Sequence, residues 1–334
     1  MAQERFIIVT GGDSRYYPLM RELVESIRTF PQGRHCPIGI IDAGLTEEQR
    51  GVLAAEGCLL ATPGWEYDLS TMRTMGQDHV RAEIAKIFLP RHFPGFGSII
   101  WIDADAWVQD WAAIDLLLQA AEMGRFGIVA QTGRFRPTEV TVRWLFHDLG
   151  RIRSILGKAA RKTKLPAKVK QDLALRPNLN GGVFSARSDA PHWAVFQRRH
   201  AEVIHHCRLF SSVQLAFALG IFIDGMPVEL LPEWCNYLGP WRYDPAGPKP
   251  WVEHYLPNRP VGIVHMAGAD AMRRDPDVRE QFLGTDGKLH WLTLRYPVWA
   301  KRLADGAPDL LAAAAAEGEA QPGQGGPGLQ AVVD

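Results

Sequence analysis

Two aspartates, Asp103 and Asp105, stand one residue apart directly after a short apolar segment at 98–102 (SIIWI). Such a β-branched and aromatic run is typical of a buried strand. In an extended chain, residues i and i+2 project to the same side, so we expect the two carboxylates to converge. Two bare anions would repel each other, so one would be protonated or a cation would bind between them. Carboxylate oxygens suit Mg²⁺ or Mn²⁺, which keep positions open for phosphate oxygens.

The elements that must position this pair alternate along the chain. Strand patterns occupy 5–10, 36–43, 58–63, 98–103 and 126–131, and helical patterns occupy 16–30, 46–57, 79–93 and 112–124. The alternation predicts an α/β fold with a mostly parallel central sheet and helices on both faces. Ligands of such sheets bind beyond the carboxyl ends of the strands, where Asp103 and Asp105 lie. The other interpretation, in which Asp103 caps a turn and Asp105 is a solvated loop acid, stays open.

Composition narrows the class of protein. The chain has 334 residues, of which 46% are hydrophobic and 22% charged, with a formal net charge of +0. This is typical of a globular protein with a large core, and the charge balance gives no reason to expect nucleic acid as a partner. The four cysteines form no C-x-x-C pair, which argues against a zinc site and favours reduced thiols in a cytosol.

The sequence predicts one domain over residues 1–305 and a C-terminal tail at 306–334, disordered from about 316 because it is rich in Gly, Pro and Gln. Apolar runs are too short for a membrane span, and the N-terminal apolar stretch is too short for a signal peptide. We therefore expect a cytoplasmic protein, with peripheral contact at the membrane surface as a further option.

The order of several short motifs resembles glycosyltransferase family 8, the retaining nucleotide-sugar transferases with a GT-A, Rossmann-like fold. The segment IIWIDADAWV is similar to the family's strand and D-x-D motif, and NLNGGVF to its F-N-A-G-V segment. SVQLAF resembles D-Q-D-x-L-N, LPEWCNYL resembles L-P-x-x-x-N, and GIVHMAG resembles the strand and H-x-x-G motif. VTGGDSRYYP and AKIFLP are similar to the A-T-D-x-x-Y-x-P loop and the R-L-x-x-P helix. The resemblance runs from residue 5 to about 270.

This resemblance implies a transferase that moves a hexose from a UDP-sugar to an acceptor hydroxyl with the help of Mn²⁺ or Mg²⁺. The implied metal ligands are Asp103, Asp105 and His265. The residues implied to bind the donor are Thr10, Gly11, Asp13, Tyr16, Lys86, Asp103 and Ala104, with Tyr16 stacking on the base. Asn180 and Gln214 are implied to touch the sugar, with Gln214 near its anomeric carbon. The acceptor is a glycan, a lipid-linked molecule or a protein.

Each candidate has a simpler interpretation that the sequence leaves open. A neutral His265 after a strand would suit Mn²⁺, but it would equally bond a loop carbonyl. Lys86 would neutralise a diphosphate as a point charge or lie solvated on a helix face. Asn180 would bond a sugar hydroxyl or occupy a tight turn, and Gln214 would touch the sugar or lie on a helix surface.

The loop after the first strand is also open to two interpretations. Gly11 and Gly12 let the backbone approach a ligand closely, and Thr10 and Asp13 would then contact the nucleoside. In the other interpretation this is a glycine-rich turn, and Asp13 caps the next helix. The segment is not G-x-G-x-x-G, so a dinucleotide fingerprint is not supported.

Two departures from the family pattern keep other functions in view. The family's K-P-W segment is replaced by HMAGADAMRRD, in which Arg273 or Arg274 would have to substitute for the lysine. The acids that usually flank the glutamine at position 214 are missing. The alternatives are a catalytically degenerate nucleotide-sugar-binding protein and a sugar-nucleotidyltransferase, which would need a glycine-rich, basic first loop.

A basic segment at 150–170 contains no acidic residue. It is interpreted as a lid or as a surface for an anionic acceptor or lipid headgroup. The alternative is a solvated basic helix with Ile152, Ile155 and Leu156 packed inward.

Overall fold

The computed structural model describes residues 4–131, 141–146 and 149–305, so the predicted tail at 306–334 lies outside the described residues. The strands of the described ranges are β1 Glu4–Gly12, β2 Ile38–Asp42, β3 Leu59–Ala61, β4 Phe96–Ile102, β5 Ala106–Val108, β6 Phe126–Ala130, β7 Thr141–Phe146, β8 Leu149–Arg153, β9 Leu179–Arg187, β10 Val228–Leu231, β11 Trp241–Tyr243, β12 Trp251–Glu253, β13 Ile263–His265, β14 Glu280–Leu283 and β15 Leu289–Leu292. The helices are α1 Tyr17–Thr29, α2 Glu47–Ala55, α3 Thr71–Thr74, α4 Val80–Ala85, α5 Leu89–His92, α6 Ala112–Glu122, α7 Ile155–Ala160, α8 Ala167–Ala174, α9 His192–Val203, α10 Ser212–Phe222, α11 Asp270–Arg274 and α12 Pro297–Asp305.

A seven-stranded sheet in the order β10-β6-β9-β4-β1-β2-β3 forms the centre of the molecule. Its neighbouring strands run parallel, except that β9 is antiparallel to both β4 and β6. The predicted α/β fold with a mostly parallel sheet is therefore confirmed.

The residues of β4 alternate between two apolar layers. Ile99 and Trp101 pack into a cluster with residues of α4, α9 and α10, whereas Ile100 and Ile102 pack into a second cluster with residues of α1 and α6. Each buried side chain of this size contributes about 1.5–3 kcal/mol relative to exposure. Helices cover both faces of the sheet, as predicted. Because β4 is therefore buried on both faces, its sequence is an unbroken apolar run.

Two predictions of helix extent were wrong. The helix expected at 79–93 is divided into α4 and α5, and Phe88 between them leaves helical geometry with φ −116° and ψ 10°. Pro90 in the first turn of α5 cannot continue the preceding helix, because it lacks an N–H and its ring clashes with the carbonyl of the previous turn.

The basic segment 150–170 is also not one helix, since β8 is followed by α7 and α8. Leu156 is buried as expected, but Ile155 is 43% exposed because it begins α7 at the rim of a cavity. The side chain of Ile152 lies outside the described residues. In the parts of the chain that the structure describes, no helix has the length and apolarity to cross a membrane.

A small ribbon connects the central sheet to the site. The chain leaves β4, turns at 103–105 and enters β5, which pairs with β13 in antiparallel register so that Ala106 lies opposite His265. The histidine that is distant in sequence is thereby held beside the two aspartates.

Candidate metal and nucleotide site

The three residues predicted as metal ligands lie together. One ligand atom from each of Asp103, Asp105 and His265 falls within 4.8 Å of the others. The Nε2 atom of His265 is 3.3 Å from Asp105 Oδ1 and 4.0 Å from Asp103 Oδ2. Asp105 is only 5% exposed, so the interpretation as a solvated loop acid is wrong.

The two aspartates converge because the chain turns between them. The extended chain that the sequence analysis predicted here was wrong. The N–H of Ala106 donates to the carbonyl of Asp103 at 3.0 Å and closes the turn. The N–H of Asp103 donates to Gly182 O at 2.7 Å, and the N–H of Met266 donates to Asp105 O at 2.9 Å. Extended geometry fails because β4 ends at Ile102, one residue before the pair.

Asn236 orients His265. The Nδ1 atom of His265 donates to Asn236 Oδ1 at 2.7 Å, and Asn236 Nδ2 donates in turn to Asn180 O at 3.5 Å. A neutral imidazole that donates through Nδ1 carries its lone pair on Nε2, the atom nearest the two carboxylates. His265 is therefore not bonded to a loop carbonyl through Nδ1, and its ligand atom points into the site.

Each carboxylate uses one oxygen for a fixed cation and leaves the other oxygen facing His265. Asp103 Oδ1 lies 2.8 Å from Lys86 Nζ and accepts a hydrogen bond from Trp101 Nε1 at 2.6 Å. Asp105 Oδ2 accepts from Arg273 Nη1 at 2.6 Å. Burial alone would raise the pKa of Asp105, but His265, when it is protonated, and Arg273 outweigh burial and hold that pKa far below its usual value. Asp105 is thus ionised and ready to bind a cation at any physiological pH.

Lys86 is a buried cation, 3% exposed, and not a solvated lysine on a helix face. It pairs with both Asp103 and Glu83 and donates to Gly181 O at 3.2 Å. Burial would lower the pKa of Lys86, but the two carboxylates outweigh it and raise that pKa above its usual value. Burial raises the pKa of Glu83 to about 7, with Lys86 opposing and Asp103 adding to the rise. The ammonium therefore stays charged beside the site.

The residues present fit a divalent ion. Two carboxylate oxygens and one imidazole nitrogen form a donor set that suits Mn²⁺. Gly182 leaves the necessary space, because a Cβ at this position would lie 2.3 Å from His265 Cε1 and 2.9 Å from Asp103 Oδ2. A side chain at residue 182 would displace both ligands.

An open cleft of about 600 Å³ adjoins two of the three ligands, Asp103 and Asp105. Its lining includes most of the residues predicted to bind the donor, namely Gly11, Asp13, Tyr16, Lys86, Asp103 and Ala104. Arg273 also lines the cleft, whereas Arg274 is exposed and does not line it. Of the two arginines that the sequence offered in place of the family's lysine, Arg273 is therefore the one at the site. Thr10 lies behind this wall inside the sheet, 1% exposed, and its hydroxyl has no hydrogen-bond partner among the described residues.

The loop after β1 is a turn held by Asp13. Asp13 Oδ1 accepts from the backbone N–H of Arg15 at 3.0 Å, and Oδ2 pairs with its guanidinium at 2.6 Å. Asp13 does not cap α1, whose N-cap is Tyr16 without a side-chain bond, so that interpretation was wrong. Arg15 is already paired, which disfavours the basic loop expected of a nucleotidyltransferase.

Asn180 and Gln214 lie on the other side of the ligands. Asn180 is within β9 and not in a tight turn, and its Oδ1 accepts from Gly182 N at 3.1 Å. Its Nδ2 atom is buried and has no hydrogen-bond acceptor among the described residues. Gln214 is in the first turn of α10, as expected for a helical residue, and a Cβ on Gly181 would lie 3.3 Å from its Cγ. Both residues are thus linked to the metal site through the two glycines of β9.

Sequence reasoning gave no role to three residues that shape this site. They are Glu83, Trp101 and Asn236. Asn236 ends the LPEWCN segment, and this motif was the sequence feature that could have pointed to it. The bonds of Glu83 and Trp101 depend on side-chain positions that no motif encodes.

No protein-family model matches the chain, and no curated protein does. The chain is similar to several solved structures of glycosyltransferases. The galactosyltransferase LgtC in complex with donor and acceptor sugar analogues has 14% identity and a TM-score of 0.46, covering 78% of this chain and 86% of that one. The bifunctional glycosyltransferase WbbM has 14% identity and a TM-score of 0.46, covering 79% and 46%. Mouse xyloside xylosyltransferase 1 has 11% identity and a TM-score of 0.41, covering 72% and 87%. Identities and TM-scores this low carry no argument about function, which must be inferred from the site's own residues.

Proposed function

We propose that this protein is a metal-dependent glycosyltransferase of the GT-A type that transfers a hexose from a UDP-sugar to an acceptor hydroxyl. The observation that carries the proposal is the convergence of Asp103, Asp105 and His265 beside a cleft lined by the loop after β1. Carboxylates and imidazole that face an open cleft at the sheet's carboxyl edge suit a cation shared with a ligand's phosphates.

Asp103, Asp105 and His265 would hold Mn²⁺ or Mg²⁺, which when bound stabilises the negative charge that develops on the UDP leaving group. Lys86 and Arg273 add fixed positive charge on the same wall. Because both cations are held by ion pairs with Asp103 and Asp105, they are preorganised and need not reorient when the diphosphate binds.

The nucleoside would lie against Tyr16. This residue is half-buried at the N-cap of α1 and lines the cleft, with its ring available to stack on a base. Gly11 and Gly12, at the end of β1, also line the cleft. We propose a uridine preference from the resemblance of this loop.

The sugar would lie between the ligands and α10. The unpartnered Nδ2 of Asn180 is a donor that a sugar hydroxyl would satisfy, since an unmet buried donor is costly. Gln214 approaches the same glycine pair from α10. We propose that these two amides orient the sugar for transfer with retention of anomeric configuration, as the resemblance implies.

One observation favours a second candidate, a nucleotide-sugar-binding protein without transfer. Val213 and Leu215 flank Gln214 where the family carries acids, and both are fully buried in the core. Neither residue can therefore make the polar contacts to the acceptor or to the reacting carbon that an acid at its position would make.

Turnover separates the two candidates. The purified protein with Mn²⁺ is assayed for release of UDP from UDP-glucose, UDP-galactose and their N-acetyl forms. A transferase releases UDP from at least one donor, and Gln214→Ala loses turnover with near-normal UDP affinity because the contact acts near the reacting carbon. The matched control is Gln119→Ala, which changes an exposed glutamine on α6. UDP binding without turnover of any donor would favour the binding protein.

A further inference from the structure

A second cavity lies next to the metal cleft. Its empty volume, which is open to solvent, is about 980 Å³. Its lining includes Lys158, Arg161, Lys162, Arg208 and Phe210. We call it the basic cavity, since four of these residues are cations and none is an acid.

The cations of the basic cavity are free of carboxylate partners among the described residues, since none of the described ion pairs involves Lys158, Arg161, Lys162 or Arg208. By contrast, Arg199 on neighbouring α9 is paired with Asp224 at 2.6 Å. The segment 154–170 also contains no acidic residue. Several like charges around one cavity create a positive potential that attracts an anion.

The basic wall is anchored to the helix that carries Gln214. Ser154 caps α7 by accepting from Gly157 N at 3.0 Å. Leu156 on α7 then packs in one cluster with Leu215 and Leu219 of α10. The cationic side chains of α7 and the turn after it therefore have a fixed place relative to Gln214.

Phe210 joins the basic cavity to the metal cleft, because its side chain lines both. It lies in the 3-10 turn Leu209–Ser211 just before α10 and is 68% exposed. An exposed aromatic ring between two polar cavities gives a ligand that spans them an apolar surface to lie on. A molecule with its anionic end in the basic cavity would thus place its other end near Gln214 and the metal ligands.

We propose that the basic cavity is the acceptor site, and that the acceptor carries a phosphate group held by Lys158, Arg161, Lys162 and Arg208. This inference rests on the proposed function, since it names the acceptor class of that same site. A phosphate monoester, with a charge of about −1.5 to −2 at neutral pH, matches several converging cations better than a single carboxylate does. Phe210 would support the part of the acceptor that carries the hydroxyl.

The test uses glucose 6-phosphate as a soluble probe, and vesicles of phosphatidylcholine with and without phosphatidic acid as the membrane probe. Both are titrated against the full-length protein with saturating UDP and Mn²⁺, so that the cleft is filled. The variant is Arg161→Glu with Lys162→Glu, and the matched control is Lys164→Glu with Lys168→Glu. The control reverses two exposed lysines of the same segment that do not line the basic cavity.

We expect one of the two probes to bind wild type, with affinity lowered about tenfold or more in the cavity variant and within about twofold of wild type in the control. Binding of glucose 6-phosphate but not of glucose would identify a soluble acceptor, and binding of phosphatidic acid vesicles alone would identify a lipid headgroup. Absence of binding to both probes, or equal losses in the two double variants, would overturn the proposal. UDP affinity, measured separately in every variant, should stay unchanged, so failure here is distinguishable from failure of the proposed function.

Discussion

His265 donates from Nδ1 to Asn236 Oδ1 at 2.7 Å, which directs its Nε2 toward Asp103 and Asp105. Through this hydrogen bond, Asn236 positions the ring of His265, a candidate metal ligand. Losing such a partner typically lowers metal affinity about 10–100-fold. We therefore expect Asn236→Leu to weaken Mn²⁺ binding by that factor in calorimetry. Asn236→Asp keeps an acceptor for Nδ1 and should retain the affinity; equal weakening by both substitutions would show that the bond does not act on the metal.

The glycine pair in β9 allows a sharper test of the metal site. Gly182→Ala would place a Cβ 2.3 Å from His265 Cε1, so we expect Mn²⁺ affinity to fall about tenfold or more. Gly181→Ala is the neighbouring control, since its Cβ would meet only Gln214 and Phe217 at 3.3 and 3.4 Å. Its Mn²⁺ affinity should stay near that of wild type. If the two alanine variants bind Mn²⁺ equally, the space above Gly182 is not a metal site.

Lys86 neutralises two carboxylates in a buried setting, so its removal should cost stability. Because Lys86→Met leaves Asp103 and Glu83 without their cation, we expect a loss of about 3–5 kcal/mol in urea unfolding. Adding Glu83→Gln should recover part of the loss, since one of the unpaired charges is then gone. Lys168→Met, at an exposed lysine on α8, serves as control and should change little. A stability of Lys86→Met equal to that of the control would contradict the buried network.

His200 predicts a pH dependence of folding. Its Nε2 lies 2.7 Å from Ser212 Oγ in the core, and burial lowers its pKa to about 3. The unfolded chain protonates His200 near pH 6.5 whereas the folded chain keeps it neutral, so the free energy of unfolding falls by about 2 kcal/mol between pH 7 and pH 5.

We expect His200→Gln to flatten the slope of unfolding free energy against pH over this window, whereas His205→Gln, at an exposed histidine, should leave it unchanged. Identical slopes in the wild type and His200→Gln would show that His200 does not set this dependence.

Local patterns were sufficient to predict the mostly parallel sheet and the position of Asp103 and Asp105 directly after a buried strand, because a strand buried on both faces needs an unbroken apolar run. They missed the break between α4 and α5, since apolar spacing continues across it whereas Pro90 cannot continue the preceding helix. Motif order pointed to His265, but only the pairing of β5 with β13 brings it to Asp105. The bonds of Lys86 to Asp103 and Glu83 were beyond prediction, because burial and pairing are set by tertiary packing.

The account's central claim is that Asp103, Asp105 and His265 together hold a divalent ion that binds the nucleotide. The most direct measurement is calorimetric titration of UDP into wild type and Asp105→Ala, each with Mn²⁺ and with EDTA. We predict that Mn²⁺ tightens UDP binding by about tenfold or more in wild type and has no effect in the variant. The same UDP affinity with Mn²⁺ and with EDTA in wild type, or an undiminished Mn²⁺ effect in Asp105→Ala, would contradict the claim.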